Sequence, residues 1–222
     1  MKKILLIEDR EKRQQLFIQE HNLDFSNYED ILINAVNEKY IEVSNQLKED
    51  KFDFNKYSMI ITHKSAFEND NSEIIEKLKQ GCKITKIPLV FFSGGIDENF
   101  YNNSNNYEFV ILNSKVFYSK NLEIFLNAYK NHNENILMLL YGEKWEINIA
   151  LNVLEKLNIF LEIDNEEEIY YDDIADYIDL LKNTSFKFKE LKVNEYDEVN
   201  REEVINFKNQ IYKYIEESVI YE

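Results

Sequence analysis

The side chains able to do chemistry in this chain stand at the ends of short apolar runs. Glu8 and Asp9 follow Lys3–Ile7 (KILLI), His63 follows YSMIIT, Ser93 follows PLVFF, and Lys115 lies just beyond FVIL. Adjacent carboxylates can hold a divalent cation through their oxygens. A histidine beside them can be a bystander, a phosphoryl acceptor or a third metal ligand. Two carboxylates and one imidazole would suit Zn, Mn or Fe(II) better than Mg. Ser93 opens a Ser93-Gly94-Gly95 turn that needs a small residue, and Lys115 is a natural ion-pair partner for Glu8 or Asp9. No Ser-His-Asp arrangement, Walker sequence, GxGxxG or HExxH occurs, so catalysis has no motif to rest on.

These groups can act together only if the runs are neighbouring strands. Lys3–Ile7, Asp30–Val36, Tyr57–Thr62, Pro88–Phe92 and Phe109–Leu112 are short and almost wholly apolar, as strands buried on both faces are. Between them lie helical patterns. Glu11–His21 places Leu16 and Phe17 on one side, Glu38–Glu49 carries Tyr40, Ile41, Ser44 and Leu47, and Ser72–Gln80 carries Ile74, Ile75 and Leu78. Asn121–Lys130 closes the series with Leu122, Ile124, Phe125 and Ala128. Alternating strands and helices predict an α/β fold with a doubly wound, five-stranded parallel sheet. Ligands of such sheets bind at the carboxyl ends of the strands, where Glu8, Asp9, His63, Ser93 and Lys115 fall. Gly94–Glu108 is polar and Asn-rich, with room for one short, poorly formed helix.

The order and spacing of these residues resemble the receiver domain of response regulators, a flavodoxin-like fold with strand order 2-1-3-4-5. ILLIEDR resembles the family's opening, YSMIITH its third strand, PLVFFSG its fourth and NSKVF its Lys-Pro-Phe turn. Ser93 follows His63 by thirty residues and Lys115 follows Ser93 by twenty-two, both close to the family intervals. The resemblance covers residues 1–127. It implies that Glu8 and Asp9 stand where receivers bind Mg²⁺, Ser93 where phosphoryl oxygens are contacted, and Lys115 where the phosphoryl group is paired. His63 stands where the family has its phosphoryl-accepting aspartate. An imidazole cannot form the acyl phosphate and is a poor ligand for a hard cation. Leu112 replaces the switch aromatic and Val116 the turn proline. Together these departures imply a pseudo-receiver that keeps the fold and loses the phosphorylation chemistry.

The charge is uneven. The 222 residues carry a net charge of −16, of which residues 131–222 hold 22 acidic and 9 basic side chains. A chain this acidic repels nucleic acid. The single cysteine, Cys82, excludes an internal disulfide and fits a reducing cytoplasm. The run after Met1 breaks at Glu8-Asp9, too early for a signal peptide, and no stretch has the length of a membrane span.

The chain therefore divides into a receiver-like domain at 1–130 and an acidic, mainly helical domain at 131–222. In the second, Ile136–Tyr141, Ile147–Leu161, Ile174–Leu181 and Val204–Ser218 read as amphipathic helices. Asp172 or Asp173 is placed to cap the third and Asn200 the fourth. Phe186–Val193 alternates like a lone strand. The tyrosine-rich acidic segment Glu166–Tyr177, with Tyr170, Tyr171, Asp172 and Asp173 at its centre, is the candidate interaction surface. The expectation is a cytoplasmic, bacterial-type regulatory or adaptor protein. It works by protein–protein contact, with a basic partner or a second copy, and without cofactor, nucleic acid or membrane. The alternative is a metal-dependent hydrolase or atypical phosphotransfer protein using Glu8, Asp9 and His63.

Overall fold

The computed structural model describes residues 2–67, 72–163 and 166–220. The chain forms two compact units, Met1–Glu143 and Lys144–Glu222. The first unit holds a sheet of β1 (Lys3–Ile7), β2 (Leu32–Ala35), β3 (Tyr57–His63), β4 (Leu89–Ser93), β5 (Phe100–Ser104) and β6 (Tyr107–Asn113). Its spatial order is β2-β1-β3-β4-β6-β5, and every neighbouring pair is parallel except β5 and β6. The five expected strands thus occur in the expected order, and the sheet has six strands instead of five.

The sixth strand is the correction. Gly94–Glu108 contains no helix. It contains β5, which pairs antiparallel with β6 over five residues. Asn105 and Asn106 both have positive φ, at 54° and 60°, which closes a two-residue hairpin of the kind asparagine tolerates. Asparagine also favours turns over helix interiors because its side chain competes for backbone groups. A tight turn in the middle of the segment therefore beats a weak helix.

Apolar runs β1, β3 and β4 are covered on both faces. Leu5, Ile7, Ile60, Leu89 and Phe91 meet α2 (Glu38–Lys48) and α3 (Ser72–Thr85) through Val43, Leu47, Ile74, Leu78 and Cys82. Ile74, Leu78 and Cys82 recur every four residues, which makes one continuous stripe. Elsewhere in the unit lie α1 (Glu11–Glu20), α4 (Ser114–Phe117) and α5 (Lys120–Lys130). α5 buries Leu122, Phe125 and Leu126, and its Tyr129 hydroxyl bonds the Lys2 carbonyl and Ser58 Oγ, both at 2.6 Å. Helix α6 (Met138–Tyr141) packs on α5, so residues 131–143, expected in the second half, belong to the first unit.

The second unit has α7 (Trp145–Ile163), α8 (Asp172–Leu181) and α9 (Arg201–Ile220), with a two-stranded sheet of β7 (Glu168–Tyr170) and β8 (Glu198–Asn200). Its core joins Val153 and Leu157 to Ile174 and Ile178 and to Phe207 and Ile211, all buried. Phe186–Val193 is not a strand: Val193 makes one isolated bridge to Val199, and Phe188 packs on Phe207 at 5.0 Å. Asn200 Oδ1 does accept from the Glu202 N–H at 3.0 Å, as a cap should. Asp172 and Asp173 cap nothing. They sit in the first turn of α8, where the helix dipole favours a carboxylate. Among the described residues no helix is long and apolar enough to cross a membrane.

Gly81 in α3 offers a test of the packing. A Cβ there would lie 2.0 Å from Phe54 Cζ, and that ring is itself held edge-on to Phe52 at 4.8 Å. Gly81→Ala should cost about 1–3 kcal/mol of stability through overpacking, although alanine is the better helix former. Denaturant unfolding of the full chain measures it, and an unchanged midpoint would mean that the Phe54 ring moves aside freely.

Candidate functional site

Strand register brings all five predicted residues to the carboxyl end of the sheet, Lys115 two residues beyond β6. Ile7 pairs with Ala35 and Thr62, His63 with Phe92, and Ser93 with Asn113, so Glu8, His63 and Ser93 are successive strand ends. Asp9 follows Glu8 in the loop before α1. Lys115 lies in α4, where its backbone N–H bonds Asn113 Oδ1 at 2.9 Å. Its side chain is exposed and makes no ion pair with either carboxylate.

The cation on the acidic pair is Arg13 instead. α1 starts at Glu11, so its first full turn carries the guanidinium back over the end of β1. Arg13 Nη2 donates to Glu8 Oε1 and, at 2.6 Å, to Asp9 Oδ1. The Arg10 N–H donates to the same Glu8 oxygen at 3.1 Å, and Arg10 Nε stands 3.4 Å from Asp9. Glu8 is wholly buried. Burial pushes its carboxyl above the usual range and the Asp9 carboxyl adds to this, while Arg13 and the Arg10 N–H pull the other way. Glu8 Oε2 and Arg13 Nε are buried without a hydrogen-bond partner among the described residues.

A polar network backs this pair. Gln14, 2 % exposed, exchanges amide hydrogen bonds with Asn34 at 3.0 and 2.8 Å and donates to the Tyr118 hydroxyl at 3.3 Å. Tyr118 is fully buried, and burial followed by the nearby Glu8 charge holds its phenol above the usual range. Its ring stacks on Phe17 at 5.1 Å and meets Phe92 edge-on at 5.3 Å. The inward face of α1 is therefore Gln14 and Phe17, and Leu16, expected on that face, is 67 % exposed. Gln14 finds two polar partners inside, Asn34 and Tyr118.

His63 is 5 % exposed, with its ring edge-on to Phe92 at 5.2 Å. Its Nδ1 accepts from the Ser65 N–H at 3.1 Å and lies 2.9 Å from Ser65 Oγ. The proton of the neutral ring is therefore on Nε2. Burial, then the positive charge of Arg13, pushes the imidazole down to about 4. At neutral pH this position is uncharged, where a carboxylate would be negative. Among the described residues no group of three or more His, Cys, Asp and Glu side chains is gathered to hold a metal ion. Glu8, Asp9 and His63 thus do not form a ligand set in this arrangement.

Arg13, Gln14, Ser65 and Tyr118 were not legible as site residues. Asp9 and Arg13 are four apart, an ion-pair spacing on a helix, and that was the one available signal. In the second unit, Tyr170 ends β7 and is 61 % exposed, Tyr171 is half-buried, and Asp172 and Asp173 are exposed. They form a surface step between strand and helix. Comparison with known proteins finds no matching family model, no matching curated protein and no matching solved structure.

Two outcomes follow from this electrostatics. Because the folded His63 is depressed from 6.5 to about 4, its contribution is complete above pH 6.5 and is lost as pH falls from 6.5 towards 4. The full effect is on the order of 3 kcal/mol. NMR of the histidine rings should show His63 as the Nε2–H tautomer, still neutral at pH 5; titration near 6.5 would contradict the buried placement. Second, Arg13→Met should cost about 3 kcal/mol at pH 7, because it strands a buried carboxylate. The loss should shrink as pH falls, since the raised Glu8 group then takes up a proton. Adding Glu8→Gln should recover most of it, and a double-mutant cycle without coupling would refute the pairing.

Proposed function

We propose that the chain is a non-catalytic regulatory or adaptor protein whose first unit is a receiver-like, flavodoxin-like domain used as a docking scaffold. The observation that carries this reading is the Arg13 guanidinium bound to both Glu8 and Asp9. In receivers such a pair holds Mg²⁺ beside an aspartate nucleophile. Here the pair holds a cation from its own helix, and a neutral His63 stands in the nucleophile's place. A permanent internal cation supplies the compensation that the buried carboxylate needs and leaves little call for an added ion. Leu112, fully buried, stands at the switch-aromatic position and has no hydroxyl to couple to a phosphoryl group. What remains of the family's machinery is its shape.

The acidic second unit fits the role of a protein-binding module. Exposed Tyr170 beside Asp172 and Asp173 combines an amphipathic ring with negative charge, a combination suited to a basic protein surface. The same charge argues against duplex DNA as the partner.

The test is chemical. Incubation of the full chain with acetyl phosphate and Mg²⁺ should leave its intact mass unchanged. The double variant Arg13→Ala/His63→Asp frees the acidic pair and restores a carboxylate, and it should gain a phosphoryl group that hydroxylamine removes. Phosphorylation of the native chain would end the pseudo-receiver reading. A correctly folded double variant that stays inert would leave the receiver likeness without chemical support.

A further inference from the structure

The two edges of the six-stranded sheet are treated differently. At one edge β2 is half-buried to buried, and its Asn34 is tied to Gln14. At the other edge four of the five residues of β5, including Phe100 at 47 %, are exposed, and among the described residues β6 is the one strand that pairs with it. Edge strands of stable monomers are normally guarded by charge, proline or a bulge. β5 has none of these. Asn99–Tyr107 (NFYNNSNNY) is nine residues without a charged side chain in a chain that is 31 % charged, and its register with β6 runs unbroken through all five pairs.

We infer that β5 pairs antiparallel with β5 of a second copy of this chain, joining two sheets into one across a two-fold axis at Asn102. The choice of a second copy rests on charge and self-complementarity. Two molecules of net charge −16 repel, and like charges placed opposite each other across strands destabilise a sheet. A neutral strand meets its own copy without that cost. With Asn102 on the axis, Phe100 faces Ser104 and Tyr101 faces Asn103 of the other copy. An asparagine amide carries both donors and an acceptor, so two facing Asn102 side chains can satisfy each other, as Gln14 and Asn34 already do within one chain. The flanking aromatic face supplies apolar area: Phe100 and Tyr107 pack on Phe109, at 6.3 and 6.5 Å, and all three rings keep solvent-facing surface. That face is open because the connection from β4 to β6 is a strand and a hairpin, where a parallel pair ordinarily has a crossover helix. Five residues of strand make a small interface, so the dimer is weak and concentration-dependent. This inference uses the sheet edge alone and does not depend on the role assigned to Glu8, Asp9 and His63.

Sedimentation velocity of the full chain between about 1 and 300 µM reads the equilibrium directly. The native chain should pass from monomer to dimer across that range. Asn102→Glu and Asn102→Lys place like charges on the axis and should each stay monomeric, with circular dichroism showing an unchanged fold. An equimolar mixture of the two variants should dimerise again, at least about tenfold more tightly than either alone. The proposal is overturned if the native chain remains monomeric throughout, if both variants dimerise like the native chain, or if two folded monomeric variants fail to associate when mixed.

Discussion

Burying the Glu8 carboxylate at the end of β1 constrains most of what surrounds it. An isolated carboxylate in that position would be protonated or would unfold its strand end, because the charged form loses its water. Arg13 prevents this, and to do so α1 must start within a few residues of β1 and present its first turn to the sheet. The same rotation turns Gln14 inward and Leu16 outward. Gln14 then needs amide and hydroxyl partners, which β2 supplies through Asn34 and the chain after β6 through Tyr118. One buried charge thus links β1, α1, β2 and the segment following β6.

A cleft at the carboxyl ends of parallel strands is where α/β proteins place ligands. Here that position holds a closed ion pair, a neutral histidine with Nδ1 bonded to Ser65, and a cluster of Phe17, Phe92 and Tyr118 rings. Lys115 points to solvent and takes no part. The two carboxylates are paired with Arg13, and aromatic rings pack beside them at this end of the sheet.

The replacement of a crossover helix by β5 is the second departure with consequences. A helix after β4 would cover Phe109 and Ile111 on the face shared with α3. The hairpin leaves those residues half-exposed and adds a strand of which four of the five residues are exposed. The change from helix to strand is carried by two asparagines with positive φ, a small local feature with a large effect on which surfaces the unit offers.

Order and spacing along the chain determined the five parallel strands, their succession and the placement of Glu8, His63 and Ser93 at one end of the sheet. Runs such as KILLI and PLVFF can be satisfied only by burial on both faces, and alternation with amphipathic helices leaves one topology class. The helical nature of the acidic half was legible for the same reason, from stripes such as Val204, Phe207 and Ile211. Tertiary structure decided the rest. Lys115 and Arg13 are both cations at this end of the sheet, and Arg13 in the first turn of α1 is the one that reaches the acidic pair while Lys115 is exposed. Gln14 and Leu16 trade faces because partners distant in sequence, Asn34 and Tyr118, stabilise a buried amide that local periodicity would place in water. β5 forms by pairing with β6 through the Asn105–Asn106 turn, and three of its five partners, Phe109, Val110 and Ile111, lie beyond the segment Gly94–Glu108.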